Sequence, residues 1–226
     1  MQKSTINHYL KSKNKIHGVF TQGTDVEHVV SFLAEKLNFN GLSLDGAYNC
    51  NNKLKCRKIL FNSGIDKTPF FGITNKDQLD TIYDEISYPC YVKPTNNSAS
   101  RGVTKVHNKE ELDSAVNYAF SLCYESPEVI IENEIIGEEY SVDTVIIDGI
   151  LYPCGISDRI FLNKKNFAVQ VGSRTPSLLS SSVQEKIYSL MQKSANELGV
   201  NNSAFKGDLV VNEKDEISVI EFAGRT

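Results

Sequence analysis

Residues 205–222 contain two apolar runs, Phe205-Lys-Gly-Asp-Leu-Val-Val211 and Ile217-Ser-Val-Ile-Glu-Phe222, separated by a short polar segment. Runs of this length that are rich in β-branched residues and flank a turn-forming segment are typical of two paired strands. The stretch is therefore predicted to form a β-hairpin. With the turn at the centre of the polar segment, Asp208 on the first strand falls nearly opposite Glu221 on the second.

Two carboxylates on one face of this hairpin suggest a bound cation. Cross-strand β-carbons lie about 5 Å apart, and like charges at that distance repel each other. Mg²⁺ relieves such repulsion, because proteins usually hold it through one or two carboxylates together with substrate phosphates. The alternative is that Asp208 and Glu221 are solvated charges on an exposed hairpin. Glu221 lies among apolar residues, however, which favours a metal site, with Mg²⁺ or Mn²⁺ as the ion.

A second unusual segment is the loop Lys93-Pro-Thr-Asn-Asn-Ser-Ala-Ser-Arg-Gly-Val103. It joins two predicted strands, residues 88–94 and 103–106, and it is long and rich in small residues. Such a loop can fold its backbone N–H groups over a polyphosphate while Lys93 supplies a point charge. It is not the G-x-x-x-x-G-K-S/T loop, which opens a helix. The alternative is an ordinary surface loop beside a solvated lysine.

A third segment lies between these two in the sequence. Its apolar strand, residues 129–131, leads into the acidic stretch Glu132-Asn-Glu-Ile-Ile-Gly-Glu-Glu139. A strand that ends in exposed acceptors and free backbone groups can hydrogen-bond a purine edge and then a ribose. Taken alone, the segment is weak evidence for nucleotide binding.

The composition excludes several classes of protein. The 226 residues include 24 Lys and Arg against 28 Asp and Glu, a net charge of −4, which leaves no basic surface for nucleic acid or an anionic membrane. The five cysteines contain no C-x-x-C pair, which argues against a disulfide framework or zinc site. Because the sequence has neither a signal-peptide pattern nor a long apolar run, a soluble, cytoplasmic protein is expected.

The order of predicted elements indicates a mixed α+β fold with antiparallel hairpins in its second half. Helices are predicted at residues 53–62 and 75–86, after a cap at Asn108, and at 183–198, where Gly199 ends the helix. A strand at residues 16–20, followed by a helix, is half of a β-α-β unit. Residues 157–174 have little periodicity and are predicted to form a loop with irregular strands.

In this order, the motifs resemble the ATP-grasp superfamily of ligases. Its members include biotin carboxylase, the large subunit of carbamoyl-phosphate synthase, the purine-pathway carboxylate-amine ligases and D-alanine:D-alanine ligase. The resemblance runs from about Val19 to the last residue. It implies two α+β lobes that clamp ATP, preceded by a partial α/β pre-ATP-grasp segment. The implied limits are 1–52 for that segment and 53–226 for the ATP-grasp domain, with a small lobe at about 88–132 and a large lobe at about 133–226.

The resemblance also implies a role for each matching residue. Those expected at the phosphates of ATP are Lys53, Lys93, Ser98, Ser100, Gly102 and Lys206. Those expected at the adenine and ribose are Glu132, the Asn133 carbonyl, the Ile135 N–H and Glu139. Asp208 and Glu221 are expected to hold Mg²⁺. Arg225 and Lys93 are expected to act on the transferred phosphoryl group.

The family reaction is phosphorylation of a carboxylate by ATP, followed by attack of an amine on the acyl phosphate.

This sequence departs from the family pattern in two respects. Ala223 stands where many relatives have an asparagine that completes the metal ligands. The chain also looks short at both ends, so it is expected to need a second copy or a complementing chain for full activity.

The candidates for substrate contacts are Arg174 and the basic pair Lys164 and Lys165, with solvated surface charges as the alternative.

Two other functions stay open at this point. The chain can be a non-catalytic nucleotide-binding fragment or a split-gene subunit that binds ATP and turns nothing over by itself. It can also be a soluble α+β domain whose hairpin carboxylates are only surface charges.

Overall fold

The computed structural model describes residues 7, 11, 17–24, 26–123, 126–164 and 167–225, with the backbone alone at 163, 164 and 167–169. The five longer helices are α1 (Glu27–Leu37), α2 (Leu44–Asn51), α3 (Lys53–Asn62), α4 (Lys109–Ser121) and α5 (Ser181–Leu198). The strands are β1 (Phe70–Ile73), β2 (Cys90–Pro94), β3 (Thr104–Val106), β4 (Val129–Asn133), β5 (Glu138–Ile147), β6 (Ile150–Lys164), β7 (Phe167–Arg174), β8 (Ser203–Val211) and β9 (Ile217–Ala223). No helix in the described part of the chain is long and apolar enough to cross a membrane.

The strands form two antiparallel sheets. The smaller sheet has the order β1-β4-β2-β3, and α4 packs against it through buried residues that include Leu112 and Val116. Asn108 caps α4 because its side chain accepts a hydrogen bond from the Glu111 N–H, as the sequence predicted. This sheet begins at Phe70, and the lobe limits drawn from the sequence stay predictions.

The larger sheet has the order β7-β6-β5-β8-β9, and α5 covers one of its faces. Helix α5 buries the side chains of Val183, Ile187, Met191, Ala195 and Leu198, whose spacing places them on one face. The predicted end is confirmed, since Gly199 adopts the left-handed conformation that closes the helix. The larger core therefore lies between α5 and the centre of this sheet.

Three predictions about local structure were wrong. Residues 17–20 form no strand, and residue 16 lies outside the described residues; a strand needs a hydrogen-bonded neighbour, and the described strands belong to the two sheets above. Residues 157–164 and 167–174 form no loop but belong to the paired strands β6 and β7, whose bulge and exposed faces remove the expected alternation. Residues 75–86 contain two 3₁₀ helices, Lys76–Thr81 and Tyr83–Glu85, in place of one α-helix.

Helix α2 was missed by the sequence reading. Its residues include a glycine and several polar side chains, which favour a loop on propensity alone. Ser43 nevertheless caps the helix by accepting from the Gly46 N–H, and Ala47 and Cys50 are buried against the larger core. Tertiary packing therefore stabilises a helix that its own residues favour only weakly.

The two sheets are joined by a buried ionic cluster centred on Arg57 of α3. The Arg57 Nε donates to Glu132 Oε1 at 2.7 Å, at the end of β4 in the smaller sheet. Its Nη2 donates to the Val219 carbonyl at 2.7 Å, on β9 of the larger sheet, and its Nη1 lies 3.1 Å from Asp66 Oδ1. The Arg57 side chain is only 2% exposed, so these contacts replace its hydration.

Glu132 is a negatively charged member of this cluster and contacts both Arg57 and Lys93. Burial by itself would raise the pKa of its carboxyl, but Lys93 and Arg57 outweigh that effect and lower the pKa from 4.5 to about 2. The Lys93 Nζ lies 2.7 Å from Glu132 Oε2. Because the folded-state pKa lies below the ordinary value, ionised Glu132 stabilises the fold above about pH 4.5, and this contribution is lost as the pH falls toward 2.

Replacing Glu132 with Gln is expected to flatten the acid dependence of stability. From the lowered pKa, the wild-type contribution of Glu132 falls by about 2 kcal/mol between about pH 5 and pH 3, and the variant lacks this loss. Urea unfolding at the two pH values measures the difference. Glu213→Gln, in the exposed turn between β8 and β9, is the matched control and should behave like the wild type. Equal acid dependence in all three proteins would contradict the assignment.

Gly137 is predicted to tolerate no side chain. Its φ is +151°, and a β-carbon there would lie 2.4 Å from the Val211 carbonyl oxygen, which is backbone and cannot move aside cheaply. Gly137→Ala should lower the free energy of unfolding by about 2 kcal/mol or more. Gly155→Ala is the control, because a β-carbon there meets nothing within 4 Å, and it should change stability by less than about 0.5 kcal/mol. Denaturant unfolding of both variants decides between these outcomes.

Candidate active site

The predicted pairing of the two hairpin carboxylates is confirmed. Strands β8 and β9 are antiparallel, and Asp208 lies directly opposite Glu221. The register shifts beside this pair, since Leu209 is opposite Val219 and Ile220 is the extra residue of a β-bulge. Asp208 is only 7% exposed, so it is not a solvated surface charge.

Three groups contact the Asp208 carboxylate: Ser141 of β5, Arg159 of β6 and Lys206 of β8 itself. The Ser141 hydroxyl donates to Oδ1 at 3.1 Å, Lys206 Nζ lies 3.3 Å from the same oxygen, and Arg159 Nη1 donates to Oδ2 at 3.1 Å. Lys206 therefore lies beside the aspartate that was predicted from the sequence to hold the metal ion. Lys206 and Arg159 could also donate hydrogen bonds to a phosphate oxygen.

Arg159 of β6 is a site residue that the sequence reading missed. Its Nη1 also donates to Glu139 Oε2 at 2.9 Å, so one guanidinium bridges the residue predicted at the ribose and the residue predicted at the metal. Gln170 holds the other side of the guanidinium through Nε and Nη2. The segment was predicted to be a loop with irregular strands, and it is the pairing of β6 with β5 that brings Arg159 within reach of Glu139 and Asp208.

Glu139 has an unusual environment for a carboxylate. Burial raises the pKa of its carboxyl above the ordinary range, Asp208 adds to this effect, and Arg159 opposes it only in part. An additional hydrogen-bond donor, such as a hydroxyl group, would therefore stabilise the ionised form of this carboxylate. This is consistent with a position beside a ribose.

Lys53 of α3 and Glu221 of β9 also form an ion pair. The Lys53 Nζ lies 3.1 Å from Glu221 Oε2 and donates to the Asn97 carbonyl at 2.8 Å. Burial alone would raise the pKa of the Glu221 carboxyl, but Lys53, together with Lys93 and Lys206, lowers it. Glu221 is therefore ionised at neutral pH and available to a cation.

The loop after β2 folds back on itself beside these groups. Ala99 and Ser100 adopt positive φ, and Arg101 donates to the Ser98 carbonyl and hydroxyl. Gly102 also has positive φ, and a β-carbon there would lie 2.8 Å from Pro94 Cγ, so only glycine fits. The predicted residues Ser98, Ser100 and Gly102 thus lie in one tight turn that begins next to Lys53.

The segment predicted to bind adenine connects the two sheets. Asn133 ends β4, and its N–H donates to the Pro69 carbonyl, while Ile135 lies in the four-residue connection to β5. Both oxygens of Glu132 are taken by Arg57 and Lys93 in this structure. The acceptor that remains for an adenine amino group is therefore the Asn133 carbonyl, which the sequence had also named.

Arg225 lies two residues after the end of β9, beside the first residue of α1. Its Nε lies 3.0 Å from Glu27 Oε1, and Glu27 is only 2% exposed. Both residues line a cavity of about 270 Å³, with apolar walls that include Val30 and Leu42. The hydroxyl of Ser31, which also lines the cavity, is buried and has no hydrogen-bond partner in the described part of the chain.

Arg174 lies at the end of β7 and forms an ion pair with Asp158. Its side chain is about half exposed, as for a surface charge. Lys164 ends β6, and Lys165 lies outside the described residues. The described contact of Arg174 is therefore with Asp158, and the role of the basic pair in substrate binding stays a prediction.

The arrangement has the donor set of a magnesium–phosphate site. Among the described residues, no group of three or more His, Cys, Asp or Glu side chains could hold a metal ion unaided. A cation at Asp208 and Glu221 would take its remaining ligands from water and phosphate oxygens, which suits Mg²⁺. Lys53 contacts Glu221 and Lys206 contacts Asp208, so both lysines could also neutralise phosphates bound to such an ion.

Two known ligases are similar to this chain in sequence. Alanine–anticapsin ligase of Bacillus subtilis strain 168 is 23% identical over 214 residues, covering 84% of this chain and 44% of that protein. D-Alanine–D-alanine ligase of Clostridium botulinum strain Loch Maree is 30% identical over 139 residues, covering 61% of this chain and 44% of that protein. The chain thus spans about half the length of the relatives it matches.

A solved structure shares the whole fold. The L-amino acid ligase from Bacillus licheniformis superimposes with a TM-score of 0.86 at 24% identity, covering 99% of this chain and 55% of that one. The sequence pattern of the ATP-grasp domain matches residues 86–226, which is more than half of the chain. The matched range contains both hairpin carboxylates and the loop after β2. On this match, the chain belongs to the ATP-grasp family.

Proposed function

We propose that this chain carries the nucleotide site of an ATP-dependent ligase that activates a carboxylate and joins it to an amine. One observation carries the proposal: Asp208 and Glu221 lie opposite each other, with Lys53 and Lys206 in contact with their oxygens. Relatives with this domain are named as ligases of alanine and of D-alanine.

The nucleotide is proposed to lie between the two sheets. Lys53, Lys93 and the turn that contains Ser98, Ser100 and Gly102 neutralise and enclose its phosphates. The Asn133 carbonyl and the Ile135 N–H bond the adenine edge, and Glu139 accepts from the ribose hydroxyls. On binding, the phosphates take over lysine contacts that Glu132 and Glu221 hold in the structure described above.

Asp208 and Glu221 are proposed to hold Mg²⁺, with Mn²⁺ as a substitute. The oxygen donors fit this hard cation, and their charge is already balanced by cations that can move to phosphate. When bound, the ion neutralises charge on the transferred phosphoryl group. Ala223 supplies no ligand, so one more water completes the coordination.

The carboxylate and amine substrates are proposed to use the cavity at Arg225. Arg225 offers donors to a carboxylate or an acyl phosphate, while Glu27 can accept from an ammonium group. In the reaction, a carboxylate oxygen attacks the γ-phosphorus of ATP, and the bond to the bridging oxygen of ADP breaks. The amine nitrogen then attacks the acyl carbon, phosphate leaves, and the amine proton passes to solvent. Positioning and charge neutralisation supply the catalysis.

Several finer points are part of the same proposal. Carbamoyl-phosphate-synthase-like chemistry and a cytoplasmic location are proposed, the latter because all five cysteines are free thiols. A homodimer or a complementing chain is proposed for full activity. The alternative, a fragment that binds ATP without turnover, is less favoured because the named relatives are ligases.

Removing one hairpin carboxylate should abolish the magnesium dependence of nucleotide binding. Asp208→Asn and Glu221→Gln are each expected to weaken Mg-ADP binding at least about tenfold, because a ligand charge is lost. Thermal shift against ADP with and without Mg²⁺ measures this effect. Asp215→Asn, in the exposed turn of the same hairpin, is the control. Unchanged magnesium dependence in both site variants would refute the metal site.

Arg225 should affect the second substrate and not the nucleotide. Arg225→Lys keeps the charge and loses the planar fork, so ADP release that depends on an added amino acid should fall at least about tenfold. Mg-ADP affinity should stay within about twofold, since neither Asp208 nor Glu221 lines the cavity at Arg225. Lys109→Met, which alters an exposed ion pair on α4, is the control. A matching loss of Mg-ADP affinity would place Arg225 at the phosphates instead.

A further inference from the structure

Strand β9 is the last strand of the larger sheet. Its inner edge bonds to β8, and no further strand pairs with its outer edge in the described part of the chain. Two side chains take the place of that missing strand at Val219. The Val219 N–H donates to Asp66 Oδ2 at 2.6 Å, and the Val219 carbonyl accepts from Arg57 Nη2 at 2.7 Å.

The two side chains form a rigid unit. Arg57 Nη1 lies 3.1 Å from Asp66 Oδ1, and the two side chains are 2% and 1% exposed. Asp66 is fixed in turn, because its Oδ1 accepts from the Thr68 N–H and its own N–H donates to the Leu60 carbonyl at the end of α3. We name Arg57 and Asp66 together the edge clamp.

The edge clamp acts where the strand is weakest. Ile220, the extra residue of the β-bulge, lies between Val219 and Glu221, and a bulge interrupts the ladder of hydrogen bonds. Arg57 Nη2 also lies 3.4 Å from the Ile220 carbonyl. The clamp therefore supplies bonds to β9 at the point where β8 supplies fewer, directly before Glu221.

The Arg57 guanidinium is also linked to Lys93, through Glu132. Arg57 Nε holds Glu132 Oε1, and Glu132 Oε2 holds Lys93 Nζ, each at 2.7 Å. One buried side chain thus joins the strand that carries Glu221 to the carboxylate that holds Lys93.

We propose that Arg57 and Asp66 are positioning residues that hold the Ile220 bulge and thereby place Glu221 for the metal ion and Lys93 for the phosphates. The proposal rests on the proposed function, because it takes the role of Glu221 from there. Neither residue touches the nucleotide or the metal. Both act through the backbone of β9 and through Glu132.

Asp66→Asn is the direct test. Asparagine has nearly the same shape, but it lacks the charge that faces Arg57, and its single acceptor oxygen cannot replace both carboxylate oxygens that accept from Thr68 and Val219. Hydrogen exchange of the Val219 amide should speed up about tenfold more than the exchange of core amides in α5. The gain in ADP affinity on adding Mg²⁺ should fall about tenfold, while ADP affinity without metal should stay within about twofold.

Ile187→Val is the control for general destabilisation. Ile187 is fully buried on α5, and this change lowers stability without removing any hydrogen bond of Arg57 or Asp66. The control should leave both the Val219 amide and the magnesium dependence unchanged. If Asp66→Asn alters only global stability, as the control does, the edge clamp is structural and the proposal is overturned.

The wild-type protein gives a test that does not depend on a variant folding. Its Val219 amide should exchange only through global unfolding, and fast exchange there would overturn the proposal. Arg57→Lys, which keeps the charge but lacks the fork, should repeat the magnesium effect if Asp66→Asn does not fold. Wild-type protein that binds no Mg-ADP would refute the proposed function and the positioning role, whereas the exchange data would still decide whether the clamp holds β9.

Discussion

A buried guanidinium needs partners, and the fold is organised around the partners of Arg57. Leaving it unpaired would cost several kcal/mol, so Glu132, Asp66 and the Val219 carbonyl must all stay within hydrogen-bond distance. These partners come from the smaller sheet, the turn after α3 and the larger sheet. The requirement to satisfy one charge therefore fixes how the two sheets meet, and the predicted nucleotide site lies where they meet.

The site itself is a balanced set of charges. Lys53 contacts Glu221, Lys93 contacts Glu132, and Arg159 bridges Glu139 and Asp208. Each cation is paired before any ligand binds, so the folded chain carries no isolated charge at these positions. Phosphate oxygens and a divalent ion would exchange partners within this set. Binding would then replace contacts of similar strength, and the site needs little reorganisation of charge.

Local chemistry predicted the parts of the fold whose signals lie close together in the sequence. The capped helices α4 and α5 and the β8–β9 hairpin needed only a cap, a spacing or a turn, and Asp208 and Glu221 were paired by counting from that turn. Helix α2 and the β6–β7 hairpin were missed, because packing and strand pairing stabilise them against weak or misleading local patterns. Arg159 was missed for the same reason, since its function follows from which strand lies beside β6.

The sequence by itself determined the mixed α+β class, the hairpin register, the opposed carboxylates and the resemblance to the ATP-grasp family. These follow from short-range periodicity and from motifs that keep their order along the chain. Only the tertiary structure decided that Glu132 is held by Arg57 and Lys93, that Arg159 bridges two carboxylates, and that Asp66 replaces a strand at the edge of β9. The physical reason is that a buried charge or backbone group can be satisfied by any residue that folding brings close, and sequence distance does not limit that choice.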